Sequence, residues 1–304
     1  MKINSVILTS LILIGLFSCS KQIEHQSVLH TGSENHIIGG ENADITFQKK
    51  NGVVGLLIVS EKLDSAGAKT QSQAICTGSL ISRRTILTAA HCVFSESTVA
   101  VVAVFEPDMK AAFAQKKYIK ATSWKFNPDF KPKSVGGKVY SEGNSWNDIA
   151  VIYLSSDAPV DSELSKMPTR SDADQVLELK PVTLAGYGIT TPLVNEVQII
   201  GGQNTIVPIK GISETAGVLR FVNDITVINA TADDKEILLD QKNGTQGACH
   251  GDSGGPAYVT SADGSLVLIG ITSRGTDLNG NCDQQNVFTN VFGYMDWIQK
   301  NISQ

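Results

Sequence analysis

Nowhere in these 304 residues does an apolar run reach eighteen uninterrupted positions, so no segment has the length of a membrane-spanning helix. There is no C-x-x-C pair and no closely spaced pair of histidines, which removes the common ligand sets for zinc; neither a metal nor a cofactor is expected. A net charge of −5 with no basic run argues against nucleic acid, and against anionic membrane surfaces, as the main partner. Histidine is scarce. Of five, His25, His30 and His36 fall in the first thirty-six residues, leaving His91 and His250 for the rest of the chain. No internal repeat and no low-complexity tract is visible.

What is present begins with a leader. Lys2 precedes an apolar run from Val6 to Phe17 that is too short to span a bilayer comfortably and ends in small residues, so residues 1–19 read as a secretory signal. Leu16-Phe17-Ser18-Cys19 resembles the bacterial lipobox, in which cleavage falls before a cysteine that carries lipid. Phe17 is unusual for that motif, and an ordinary signal peptide with an incidental cysteine is the competing reading. Residues 20–36 are polar and without apolar periodicity, as in a linker or pro-segment, so the globular part starts near Ile37. The expected location is secreted, extracellular or periplasmic. Acylation of Cys19 would tether the precursor, and Ser20 rather than aspartate points to the outer membrane. Five cysteines in an exported protein give two disulfides and one left over; with Cys19 on lipid, Cys76, Cys92, Cys249 and Cys282 make two pairs.

From Val53 onward short β-rich runs recur between turn residues: Val53–Val59, Ala74–Ile81, Ser97–Phe105, Asp148–Leu154, Lys180–Gly188, Thr205–Ile212, Leu219–Asn229, Leu266–Thr272 and Asn286–Val291. Regular short strands of this kind indicate barrels or a sandwich. Only the C-terminus looks helical: Val291, Met295, Ile298 and Ile302 share one face, with Asn290 as a candidate N-cap. The polar stretch 156–179 would join two halves.

Gly251-Asp252-Ser253-Gly254-Gly255-Pro256 is the strongest chemical signal. A serine hydroxyl is a weak nucleophile unless a tight turn holds it beside a general base, and flanking glycines let the backbone turn and aim amides at a developing oxyanion. His250 is too close in sequence to reach round to Ser253, so the base is His91, within Leu87-Thr88-Ala89-Ala90-His91-Cys92; a structural histidine is the plainer alternative. The third member must be a buried carboxylate that fixes the imidazole tautomer. Asp148 fits, standing directly before the apolar run Ile149–Leu154, although a strand-capping aspartate would look the same. The order His91, Asp148, Ser253 excludes the α/β-hydrolases, which also use G-x-S-x-G but place their histidine after the serine.

With that order the chain resembles the chymotrypsin/trypsin-like serine proteases over residues 37–304. Ile37-Ile38-Gly39-Gly40 is similar to the new N-terminus made on activation. Gly186-Tyr187-Gly188 matches a barrel-junction motif and Ile271-Thr272-Ser273-Arg274-Gly275 the substrate-binding strand. The resemblance implies an all-β fold of two six-stranded antiparallel β-barrels, about 37–155 and about 175–304, with a C-terminal helix. It implies endopeptidase activity through an acyl-enzyme, protein or peptide substrates, and a monomeric zymogen cut before Ile37 by an activating protease. It implies that the amides of Gly251 and Ser253 form the oxyanion hole, that Asp252 receives the Ile37 ammonium, and that Ser273 bonds near Asp148. It implies the pairs Cys76–Cys92 and Cys249–Cys282, and a pocket lined by Gly247, Ala248, Ser273, Arg274, Gly275 and Asn286. Gly247 stands where trypsin itself is acidic, Arg274 where the family usually has tryptophan, and His36 where a trypsin-like activator would want Arg or Lys. A pseudoprotease or binding module on the same fold is the alternative.

Overall fold

The computed structural model describes residues 37–63, 67–130, 133–135, 138–140, 147–172, 180–191, 194–200, 203–210, 216–230, 235–242, 244–276 and 282–302. The chain divides into two units, Met1–Ser33 and Glu34–Gln304, and the described residues all belong to the second. The signal, the lipobox at Cys19 and the pro-segment therefore lie outside the described residues. Among the described residues no helix is long and apolar enough to cross a membrane.

The first half carries β1 (Glu41–Asn42), β2 (Val53–Leu63), β3 (Lys69–Ser82), β4 (Thr85–Thr88), β5 (Thr98–Val104), β6 (Ile119–Phe126), the small hairpin β7 (Lys133–Val135) and β8 (Lys138–Tyr140), and β9 (Ala150–Leu154). Six of these close into a barrel in the order β2-β3-β4-β9-β6-β5. Its interior is filled from alternate positions: Leu56, Leu80, Ile86 and Ile152 are fully buried, and Ile86 faces Ile152 across the β4–β9 ladder. Each such side chain contributes about 1.5–3 kcal/mol on leaving water. β4 and β9 are buried on both faces, which is why Thr85–Thr88 and Ala150–Leu154 read as continuous small or apolar runs instead of alternating ones.

The second half has β10 (Val182–Gly186), the hairpin β11 (Val194–Ile200) and β12 (Gln203–Lys210), then β13 (Arg220–Ile225), β14 (Val227–Ala230), β15 (Glu236–Asp240), β16 (Pro256–Thr260), β17 (Leu266–Gly275) and β18 (Gln285–Asn290). Among the described residues these strands do not close by hydrogen bonds into the expected second six-stranded barrel. One sheet of eight strands runs β1-β13-β10-β16-β17-β18-β15-β14 without closing on itself. A bend divides one strand run between the two ends of this sheet. Val222–Ile225 opposes only Val182–Leu184, so the ladder carries one extra residue, and Asp224 adopts a left-handed φ of 59°. Beyond it only Thr226 separates β13, which bonds β10, from β14, which bonds β15. The sheet is thus joined across its ends by covalent chain, with no ladder between β13 and β14.

Tyrosine hydroxyls tie the halves together. Gln48 Nε2 donates to Tyr187 Oη at 2.7 Å, Tyr187 Oη donates to Glu106 O at 2.9 Å, and Tyr258 Oη donates to Asn51 O at 3.1 Å. The connector feeds both halves as well: Ser165 N donates to Leu80 O, and Lys166 bridges Val267. At the C-terminus a 3₁₀ turn (Phe292–Tyr294) precedes the helix Met295–Ile302; its N-cap position is Val291, not the expected Asn290, which accepts from Phe292 N through Oδ1 at 3.1 Å in a local turn one residue earlier. Val291 and Ile298 are fully buried, with Met295 and Ile302 packed beside them.

Candidate active site

Three strand ends converge at the junction of the halves. β4 leads into a single 3₁₀ turn, Ala90–Cys92, that presents His91. Asp148 lies just ahead of β9, after Asn147, whose left-handed backbone (φ 52°) is held by its own side chain: Asn147 Nδ2 donates to Asp129 O, and Tyr294 Oη donates to Asn147 Oδ1. Ser253 lies in the turn before β16, between Gly251 (φ 100°) and Gly254 (φ 79°).

The Asp148 carboxylate is 1% exposed and fully engaged. His91 N donates to Oδ1 at 2.9 Å; Oδ2 lies 2.7 Å from His91 Nδ1 and accepts from Ser273 Oγ at 2.7 Å. Thr289 Oγ1 fixes the backbone by donating to Asp148 O at 2.9 Å. Burial would push this carboxyl up, but the His91 charge and these hydrogen bonds hold it below the usual carboxylate range. For the imidazole, burial pulls the pKa down and the Arg274 charge adds to that; the Asp148 charge and hydrogen bond outweigh both and hold it above its ordinary value. The carboxylate also fixes Nδ1 as the protonated nitrogen, leaving Nε2 as the acceptor.

Ser253 is brought beside His91 through the disulfide. The Cys92 sulfur lies 3.6 Å from Ser253 O and 4.0 Å from His91 Nε2. No hydrogen bond joins the Ser253 hydroxyl to His91, and among the described residues neither the Gly251 nor the Ser253 amide donates to a protein acceptor. Thr77, absent from any motif, organises this turn: its amide donates to Ser253 O, its hydroxyl donates to Gly251 O, and that hydroxyl accepts from Tyr187 N. Cys76–Cys92 and Cys249–Cys282 are both disulfide-bonded.

Asp252 points away from Ser253 into the junction. Its carboxylate accepts from Gly188 N at 2.8 Å and Cys249 N at 2.9 Å. A Cβ on Gly188 would come within 2.4 Å of Oδ2, which explains the glycine there. Burial raises this carboxyl to about 7, against the pull of the two amides and of the Arg220 charge. Arg220 is itself 4% exposed and donates to Gly188 O at 3.4 Å. Ile37 is buried in the second core and strained, a β-branched residue at φ 49°, while Ile38 pairs with Gly247.

The pocket residues fall along two paired strands and the Gly247–Cys249 segment. Gly275 faces Asn286 across the β17–β18 ladder, and Gly247, Ala248 and Asn286 are buried. Ser273 turns its hydroxyl to Asp148 instead of the pocket. Arg274 makes a bidentate pair with Glu236, at 2.9 and 2.8 Å. Sequence reasoning missed Thr77, Thr289, Arg220 and Glu236; none carries a local signal, because each acts on a partner 38 to 174 positions away or, for Arg220, across 32.

The fold and this junction define an all-β protein of chymotrypsin type. The Trypsin family model matches residues 61–298, and the chain belongs to that family. It is 28% identical over 228 residues to a chymotrypsin of Phaedon cochleariae, covering 74% of this chain and 71% of that one. It is 31% identical over 237 residues to chymotrypsin-2 of Vespa crabro, covering 74% and 88%. Its fold superposes on the solved structure of HL collagenase with a TM-score of 0.61 at 22% identity, covering 88% of this chain and 99% of that one.

Proposed function

We propose that the protein is a serine endopeptidase in which Ser253, His91 and Asp148 act as a catalytic triad. The observation that carries this reading is the buried Asp148 carboxylate, which binds Nδ1 of His91 and leaves Nε2 to act as base beside the Ser253 turn. Nε2 takes the hydroxyl proton as Ser253 Oγ attacks the scissile carbonyl, and the imidazolium is stabilised by Asp148. The Gly251 and Ser253 amides receive the oxyanion. The proton then passes to the leaving amine, giving an acyl-enzyme that water hydrolyses by the same steps.

Cleavage before Ile37 is the proposed activation step. It would relieve the left-handed strain at Ile37 and create an ammonium able to pair with Asp252, whose carboxyl burial now holds at about 7 despite the Arg220 charge. The turn carrying Gly251 and Ser253 would then settle, bringing the hydroxyl onto His91. A signal at 1–19, a pro-segment at 20–36, secretion, monomeric action and lipid on Cys19 complete the reading. With the anchor on the pro-segment, activation would also be release. A pseudoprotease or binding module is separated from it by one experiment: fluorophosphonate labelling of Ser253 after removal of residues 1–36. Labelling that His91→Ala abolishes supports the proposal; an unlabelled but folded protein refutes it.

A further inference from the structure

Gln241 follows β15 and donates its amide to Gln284 O at 3.2 Å, extending the ladder in which Leu239 faces Asn286 and Ile237 faces Phe288. Directly opposed residues in such a ladder point to the same face, so Ile237, Leu239, Gln241, Asn286 and Phe288 share one side. Ile237, Leu239 and Phe288 sit there in the second core with Ala248. Gln241 and Asn286 are therefore diagonal neighbours, their Cβ atoms roughly 7–8 Å apart, where that core meets the Gly247–Ala248 wall.

Both are buried, at 1% and 5% exposure. Gln241 Nε2 donates to Ala248 O. Its side chain fills the space that a residue at Gly247 would need: a Cβ there would lie 2.8 Å from Gln241 Cγ and 2.9 Å from Nε2, on a backbone at φ 135°. Yet Gln241 Oε1 and Asn286 Oδ1 are buried with no hydrogen-bond partner. Unpartnered buried acceptors are costly and uncommon, and two on one face of the same ladder call for a donor.

We infer that Gln241 and Asn286 form the polar floor of the primary specificity pocket and select a substrate side chain offering neutral N–H donors, the carboxamide of glutamine or asparagine. The inference rests on the endopeptidase reading above. A carboxamide supplies two N–H groups and no charge. Lysine or arginine would bring a cation to two neutral oxygens with no carboxylate beside them; Asp283, the nearby acid in sequence, is exposed. An apolar side chain would leave both oxygens unsatisfied. In the uncut chain neither oxygen reaches solvent, so the wall around Gly247 must open. The proposed cut at Ile37 adjoins the Ile38–Gly247 bridge and is placed to allow it.

The test uses protein cut at Ile37, with rates normalised to fluorophosphonate-titrated sites, on peptides that differ only at the residue before the scissile bond. Expected is a kcat/KM for Gln or Asn at least about tenfold above that for Met, the near-isostere of Gln, and above those for Leu, Phe, Lys and Arg. Gln241→Met should bring Gln and Met together, and Gln241→Glu should shift preference to Lys and Arg. Asn286→Val, on the other strand, should narrow the Gln-to-Met ratio in the same way. A purely structural role for Gln241 would lower all substrates alike. A profile led by Leu, Phe, Lys or Arg, or a Gln-to-Met ratio untouched by any variant that still labels, overturns the inference while leaving the endopeptidase reading intact. Absence of labelling in the cut wild type sinks both.

Discussion

Replacing Asp252 by asparagine in the uncut chain should change stability in a way that depends on pH. The carboxyl is 1% exposed and burial holds it at about 7, whereas its ordinary value is 3.8. Well below pH 4 it is protonated in native and unfolded chains alike. As pH rises, the unfolded chain releases the proton while the native chain keeps it, so native stability falls by about 1.36 kcal/mol per pH unit. The fall ends once the native carboxyl ionises near 7, giving a total loss of roughly 4 kcal/mol, an upper value because the unfolded chain is not fully solvated. The asparagine side chain has no proton to lose. The stability of wild type minus that of Asp252→Asn should therefore drop by up to about 4 kcal/mol between pH 4 and 7 and stay level above it. Contributions from His91 and Asp148 are common to both chains and cancel. Urea unfolding of the full-length chain, with Ser253→Ala in both proteins to prevent self-cleavage, reads this directly. Parallel stability curves across pH 4–8 would refute the argument. After the cut at Ile37 the slope should vanish, since an adjacent ammonium keeps the carboxylate ionised.

Three further outcomes are expected. Ser253→Ala and His91→Ala should each cut peptide hydrolysis by several orders of magnitude, the double variant little more, and Asp148→Asn by about 10⁴-fold through the wrong tautomer; full activity in any of them removes that residue from the triad. Arg274→Gln removes a charge that lowers the His91 pKa, so the acid limb of the kcat/KM profile, which needs neutral His91, should move to higher pH; an unmoved limb would mean that the Arg274 charge is screened from the imidazole. In fractionated cells, fluorophosphonate-reactive protein beginning at Ile37 should be soluble and the precursor lipid-associated, whereas active soluble protein beginning upstream of Ile37 would contradict activation by cleavage.

The spacing of short apolar runs and the glycine-flanked Ser253 are local properties, so the all-β class and the tight turn at Ser253 were legible in the chain itself. So were the order His91, Asp148, Ser253, because chain order needs no geometry, and the C-terminal amphipathic face, although the C-terminus is not alone in being helical: Ile45–Asn51 and Met109–Ala114 form helices too short for an apolar period to show. β1, β4, β6, β7, β8, β11, β15 and β16 lie outside the β-rich runs that the sequence displays. Thr85–Thr88 is too short to show a period, Ile119–Phe126 carries exposed polar positions, and Pro256–Thr260 runs straight on from the serine motif. The open second sheet was also hidden, since nothing in Leu219–Asn229 announces the left-handed turn at Asp224 that splits one apolar run into β13 and β14. The site divides the same way. Sequence determined which groups could react, because a hydroxyl, an imidazole and a carboxylate are properties of single residues. Only the tertiary structure decided what surrounds them: Thr77 beneath the Ser253 turn, Arg220 beside Asp252, Glu236 on Arg274, and Gln241 in the space that Gly247 leaves free. Burial and partnering are sums over chain segments far apart in sequence, and they exist only once those segments have packed.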